Sequence, residues 1–123
     1  MGKFNSFEEI ISWKKSREFN LKIYRITENQ YFKRDFDLTR QIRRASTSIS
    51  SNIAEGFERN TDKEFIYFLY VAKASAGEVR SQIYLASDLN YISIEISENL
   101  LHDVTEISKL LGGFIKYLET NKK

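Results

Sequence analysis

The segment LLHDVTEISKLLGGFIKYL, residues 100–118, decides the fold. Leu100, Val104, Ile107, Leu111, Phe114 and Leu118 recur in steps of 4, 3, 4, 3 and 4. Apolar residues so spaced form one stripe along a helix, and the alternation of threes and fours is a heptad seam that faces other helices. His102, Asp103, Glu106, Lys109 and Lys116 fill the wet side. Tyr91 and Ile92 turn the chain ahead of this segment, and Ser93 supplies a capping oxygen, so the helix is expected over residues 94–119.

The same reading extends towards the N-terminus. Phe65, Phe68, Leu69, Ala72, Ser75, Ala76, Val79, Ile83 and Ala86 make an inner stripe for a helix over 62–90, opened by the capping box Thr61-Asp62-Lys63-Glu64. Residues 65–72 alone could form a strand, but the helical period continues through Ala86 and decides for helix. Leu38, Ile42, Ala45, Ile49, Ile53 and Gly56 give a second helix over 37–58, capped by Asp35 or Asp37. Ser6-Phe7-Glu8-Glu9 reads as a capping box for a first helix over 7–29, with Phe7, Ile10, Ile11, Trp13, Phe19, Ile23, Tyr24 and Ile26 at helical spacing. Residues 30–36 are then a connection, and residues 121–123 a frayed basic tail. Short links force antiparallel neighbours, so the expected fold is all-α, one domain over 1–123, an antiparallel up-down-up-down four-helix bundle.

Composition agrees. The chain of 123 residues has no proline, which permits long unbroken helices, and no cysteine, which removes disulfides and thiolate chemistry. A cytoplasmic location is the expectation, since no apolar run approaches a membrane span and no signal-peptide pattern stands at the start. A single histidine, His102, leaves no demonstrable Ser-His-Asp set. No phosphate-cradling glycine loop is present, and the two Glu-x-x-His pairs of a di-iron bundle are missing. Glu98, His102 and Glu106 share one helical face, but a solvated polar face explains them more simply than a metal. No enzyme activity, cofactor, metal or small-molecule substrate is expected.

Charge and aromatic content point instead to binding. Residues 1–59 carry 12 Lys/Arg against 8 Asp/Glu, whereas residues 60–123 carry 7 against 9. Lys14, Lys15, Arg17, Lys22 and Arg25 line the first helix, and Lys33, Arg34, Arg40 and Arg43 surround the start of the second. These are the candidates for gripping phosphates of RNA or DNA, with Tyr31 and Phe32 as candidates for stacking on bases. No base-reading motif accompanies them. Tyr67, Tyr70, Val71 and Tyr84 add apolar surface outside the third helix's inner stripe and are candidates for an oligomer interface. Gln41, Arg44, Ser48, Asn52 and Glu55 form a polar stripe beside the apolar one. Folding the hairpin about residues 60–61 brings Arg44 level with Glu78. The stripe therefore reads as a buried polar network of Gln41, Arg44, Asn52, Glu55 and Glu78 that fixes register, with an Arg44–Glu78 ion pair.

The segments Leu38-Thr39-Arg40-Gln41-Ile42-Arg43-Arg44-Ala45, Ser48-Ile49 and Asn52-Ile53-Ala54-Glu55-Gly56 carry a resemblance. With Arg59, Glu64-Phe65, Phe68-Leu69, Ala72 and Ala74-Ser75-Ala76-Gly77-Glu78, they resemble the signature of the 23S ribosomal-RNA intervening-sequence proteins, a bacterial four-helix-bundle family. Trp13 and Tyr24 also fall where that family has such residues. The likeness spans nearly the whole chain, except that Phe32-Lys33 stands where the family commonly has proline. It implies a left-handed bundle, a homo-oligomer such as a five-membered ring, and association with nucleic acid. It supplies no catalytic residue. The alternative is a protein-interaction scaffold that touches no nucleic acid, and no membrane contact is expected under either reading.

Overall fold

The computed structural model describes residues 4–121. Four long helices form the body: α1 (Ile11–Ile26), α3 (Phe36–Phe57), α4 (Asp62–Asp88) and α5 (Ile94–Asn121), with a one-turn α2 (Gln30–Lys33) between the first two. No strand occurs among the described residues, and none of their helices is long and apolar enough to cross a membrane. Helix packing is cyclic: α1 touches α3 and α5, and α4 touches α3 and α5, so α1 lies diagonal to α4. Cross-helix contacts run in opposite directions. Ser46 meets Asn20 while Arg43 reaches Thr27, Ser48 meets Ser75 while Gly56 lies against Phe65, and Ser97 meets Ser87 while Tyr70 reaches Glu119. Each helix is therefore antiparallel to the next.

The core follows the apolar stripes. Leu38, Ile42, Ala45, Ile49, Ile53 and Gly56 of α3 are all buried, as are Phe65, Leu69, Ala72, Ala76, Val79, Ile83 and Ala86 of α4. Phe68 is only half-buried, whereas Ile66 and Gln82 are buried. In α5 the seam shifts near its end. Ile115 enters the core at 3% exposure, and Phe114 stays on the flank, edge-on to Phe65 at 5.5 Å. A straight helix has 3.6 residues per turn, so a 3.5-residue seam drifts and the next residue takes over.

Caps fix most boundaries. Asp35 accepts from the Leu38 amide (3.1 Å), Thr61 from Glu64 (3.1 Å) and Ser93 from Ile96 (3.1 Å). Asn90, at φ 63, ends α4 in the left-handed conformation, and the Tyr91 amide returns to the Ala86 carbonyl at 2.9 Å. The first helix departs from expectation. Phe7–Glu9 is a single 3-10 turn, and Ile10 is extended, with ψ 124, before α1 begins. The Ser6 side chain makes no cap, and Glu9 accepts instead from the Asn5 amide at 3.1 Å. The kink lets Ile10 reach the core at 2% exposure while Phe7 packs edge-on to Trp13 at 5.1 Å. At the other end of this helix, the expected connection over residues 30–36 contains α2. Of the expected basic tail, Asn121 ends α5 and the rest lies outside the described residues.

Gly56 packs directly against the first turns of α4. A Cβ there would stand 2.7 Å from the Phe68 Cβ and 2.9 Å from Phe65 Cδ1. At Gly113, nothing lies within 4 Å. Gly56→Ala should therefore lower stability by about 1–3 kcal/mol through overpacking. Gly113→Ala should raise it by about 0.5–1 kcal/mol through backbone entropy. Urea unfolding of both variants checks the pair.

Candidate nucleic-acid interface

Three of the nine basic candidates are occupied within the bundle. Lys15 pairs with Glu106 at 3.6 Å, and Lys22 pairs with Asp103, both bridging α1 to α5. Arg43 is half-buried: its Nε donates to Thr27 Oγ1 at 2.8 Å, a terminal nitrogen donates to the Tyr24 carbonyl at 3.3 Å, and the guanidinium lies 4.4 Å from the Tyr24 ring centre. Arg43 thus ties the C-terminal end of α1 to α3, where a cation also suits the helix dipole. Lys14, Arg17, Arg25, Lys33, Arg34 and Arg40 are exposed, with no carboxylate partner among the described residues. Arg17 lies over the Trp13 ring at 5.7 Å. Arg44, expected inside a network, is exposed as well and lines a hollow of about 300 Å³ with Asp37, Arg40 and Gln41.

These cations are not spread evenly. The contact of Arg43 with Tyr24 places Arg25 level with the start of α3, so Arg25, Arg40 and Arg44 stand at the same end of the bundle, with Arg44 on the α3 side nearer α4. Lys33 and Arg34 sit on the link at that end, and Lys14 and Arg17 lie at the far end of α1. Exposed acids nearby include Glu28, Asp37 and, level with Arg44, Glu78.

The polar stripe of α3 does not form the expected buried network. Only its centre is linked: Ser48 Oγ and Ser75 Oγ are 2.9 Å apart, and Asn52 Nδ2 donates to the Ser48 carbonyl (2.8 Å) and hydroxyl (2.9 Å). Gln41, Arg44 and Glu55 are exposed. Glu78 is exposed too and accepts only from Gln82 Nε2, at 3.4 Å. Arg44 lies one turn before Ser48 and Glu78 one turn after Ser75, so the two share a level as expected, yet they form no ion pair. Both heads remain in water, where pairing two long side chains gains almost nothing over hydration. The stripe is the outer rim of the α3–α4 seam rather than its interior.

Aromatic placement also differs. Tyr31 is 45% exposed, but Phe32 is buried at 1%. Asn29 caps α2 by accepting from the Tyr31 and Phe32 amides, both at 3.0 Å, and the resulting turn rotates Phe32 inward, edge-on to Tyr91 at 5.3 Å. Asn29 ahead of Gln30-Tyr31-Phe32-Lys33 was the available signal. The outward ring is Phe36, 77% exposed at the first turn of α3.

On α4, Tyr67, Tyr70 and Tyr84 are exposed as expected, and Val71 is half-buried. Ala74, Gly77 and Ser81, also exposed, complete the line at steps of 3, 4, 3, 4 and 3. A Cβ at Gly77 would meet nothing within 4 Å. The structure thus has an outward seam on α4 with small residues at its centre, of which the sequence expectation held the tyrosines, with Val71 beside them.

His102 is exposed on α5, and no group of three His, Asp or Glu side chains comes together as a metal-ligand set among the described residues. Electrostatics shift one phenol at the link. Tyr91 Oη donates to Asp35 Oδ2 at 2.9 Å, and this bond, with burial and the carboxylate charge, raises the phenol above its ordinary value of 10.0.

Comparison with known proteins follows the same lines. The 23S rRNA-intervening sequence protein family matches residues 8–113. A crystal structure of a protein with unknown function from the S23 ribosomal protein family, from Bacteroides thetaiotaomicron VPI-5482, is 34% identical with a TM-score of 0.80. That likeness covers 86% of this chain and 99% of the other. No curated protein matches.

Two predictions test these assignments. Arg43→Ala should lower stability by about 1–2 kcal/mol, because a charged hydrogen bond and a ring contact are lost. Lys14→Ala should change it by under about 0.5 kcal/mol. Thermal unfolding separates the two. Because folding raises the Tyr91 pKa, the folded state favours the neutral phenol. That stabilisation is complete below the ordinary tyrosine pKa and is lost as pH rises through the raised value. Urea midpoints of wild type should therefore fall more steeply on going to alkaline pH than those of Tyr91→Phe.

Proposed function

We propose that this chain, which belongs to the 23S rRNA-intervening sequence protein family, is a non-catalytic, self-assembling bundle that holds RNA by its phosphates. The observation that carries the reading is the set of exposed cations at one end of the bundle, on α1, α3 and their link, with no carboxylate partner among the described residues: Arg25, Lys33, Arg34, Arg40 and Arg44. A polyanion released from its counterions is the natural partner of such a face, and DNA would serve the same chemistry. The outward seam of α4 supports self-association, since Tyr67, Tyr70 and Tyr84 flank the small residues that permit close approach. A homo-oligomer such as a five-membered ring built through α4 leaves α1, on the diagonal, turned outward.

The rival reading is an interaction scaffold without nucleic acid. It rests on the same exposed tyrosines and needs none of the cations.

A titration with structured RNA at two salt concentrations separates the two readings. Binding should weaken steeply with salt, and Arg25→Gln, Arg40→Gln and Arg44→Gln should each lower the log–log slope by about 0.7–0.9 if each meets one phosphate. Absence of binding at low salt leaves only the scaffold. Light scattering should give a multiple of the 14.5 kDa chain mass, and Gly77→Glu should return it to the single-chain mass without loss of helix. A wild-type mass of one chain refutes assembly.

A further inference from the structure

The geometry points to a narrower ligand at the same end of the bundle: we infer that the α1–α3 link is a stacking platform for the unpaired bases of a single strand. This inference rests on the nucleic-acid reading above and adds what that polymer must look like.

The platform is already assembled in the free chain. The Tyr31 ring stacks on Tyr91 with centroids 5.9 Å apart and planes 12° apart. Tyr91 is held from three sides: its hydroxyl donates to Asp35, its carbonyl accepts from Asn29 Nδ2 at 3.0 Å, and Phe32 packs edge-on against its ring. Tyr31 is thus the outer member of a fixed pair, and its free face needs no reorganisation to accept another flat ring. A site ordered in advance loses little entropy on binding. Five residues on, Phe36 stands 77% exposed, the highest exposure among the described large apolar side chains. Two exposed rings at one end of the bundle offer flat apolar faces to a ligand.

Charge narrows what that something is. Lys33 and Arg34 lie between the two rings in sequence, and Arg40 follows Phe36 by one turn of α3. All three are exposed without a carboxylate partner. Rings beside free cations suit a ligand that alternates flat apolar faces with anions, which describes a polynucleotide. A duplex does not fit, because its base faces are stacked inside and it offers only backbone and base edges. The unpaired bases of a single strand offer both. Asp35 is held by the Leu38 amide and the Tyr91 hydroxyl but keeps its charge, so it opposes phosphate from a fixed position. Asp37 is an exposed carboxylate on the first turn of α3 and should also weaken binding.

The test compares the full chain's affinity for oligouridylate, for oligothymidylate and for an RNA duplex of equal length, by fluorescence anisotropy at low and moderate salt. Both single strands should bind more tightly than the duplex, because stacking tolerates either sugar. Phe36→Ala and Tyr31→Ala should each weaken single-strand binding about fivefold or more while leaving duplex binding unchanged. Tyr31→Phe should keep it, and Asp37→Asn should tighten it. Phe36 is so exposed that its removal should leave the unfolding midpoint unchanged, which keeps the Phe36→Ala result free of folding effects. Equal affinity for single strand and duplex, or wild-type single-strand affinity in Phe36→Ala, overturns the platform while the phosphate reading survives. A Phe36→Ala variant that changes the light-scattering mass and not the single-strand affinity also overturns it, and assigns the ring to a contact between copies. Failure of every nucleic acid to bind at low salt overturns both readings.

Discussion

The bundle depends on how closely α3 can lie against α4. Gly56 presents bare backbone to Phe65 and Phe68, and two short hydroxyls, Ser48 and Ser75, meet two turns further on. Side chains of that size draw the helices together and also fix their register, since a shift of one residue would push a Cβ into the Phe68 stem. Once the register is set, the rotation of α4 is set with it. Phe65, Leu69, Ala72, Ala76, Val79, Ile83 and Ala86 turn inward, which leaves Tyr67, Tyr70, Ala74, Gly77, Ser81 and Tyr84 no choice but to face out. The exposed seam of α4 is a geometric consequence of the buried one.

Against this pair, α1 is held differently on its two sides. Towards α3 it uses specific polar contacts: Ser46 donates to Asn20 Oδ1 at 2.7 Å, Asn20 donates to Ser50 at 3.0 Å, and Arg43 takes the helix end. Towards α5, the polar links are the exposed pairs of Lys15 and Lys22, which contribute about 0–1 kcal/mol each in water. Burial of Phe19 and Ile23, at 2% and 0% exposure, therefore carries most of the attachment. Cations recruited to these attachments are unavailable to a ligand, which is why charge counted along α1 overstates the face offered to phosphate.

Periodicity made the four helices and nearly all the core legible in the sequence, because burial on one face repeats with the helix itself. The errors occurred where one interaction outweighed the local pattern. Ser6 and Glu9 have capping-box spacing, but seating Ile10 in the core requires an extended residue there, so the helix starts late. Phe114 fits a strict heptad, but helical drift over several turns hands the position to Ile115. The level of Arg44 and Glu78 followed from the tight hairpin, whereas their separation depends on solvation, which spacing does not encode. Phe32, expected to face outward, is buried because one turn capped by Asn29 rotates the link, and Phe36 is the ring left exposed; neither burial nor exposure can be assigned in a segment read as loop.

The two proposed surfaces lie on different helices, and the cyclic packing decides how they relate. A seam on α1 or α3 would compete with the cations for the same face. The seam is on α4 instead, diagonal to α1, and α3 lies between them with Arg40 and Arg44 turned away from the core. Copies joined along α4 would therefore gather their tyrosines at the contact and carry their basic faces outside it. Repeating a face of few cations around an assembly multiplies the phosphates it meets at once, and linked weak contacts bind far more tightly than the same contacts apart. A chain with net charge of only +2 can hold a polyanion in that way, since what matters is where its unpaired cations stand rather than how many it has.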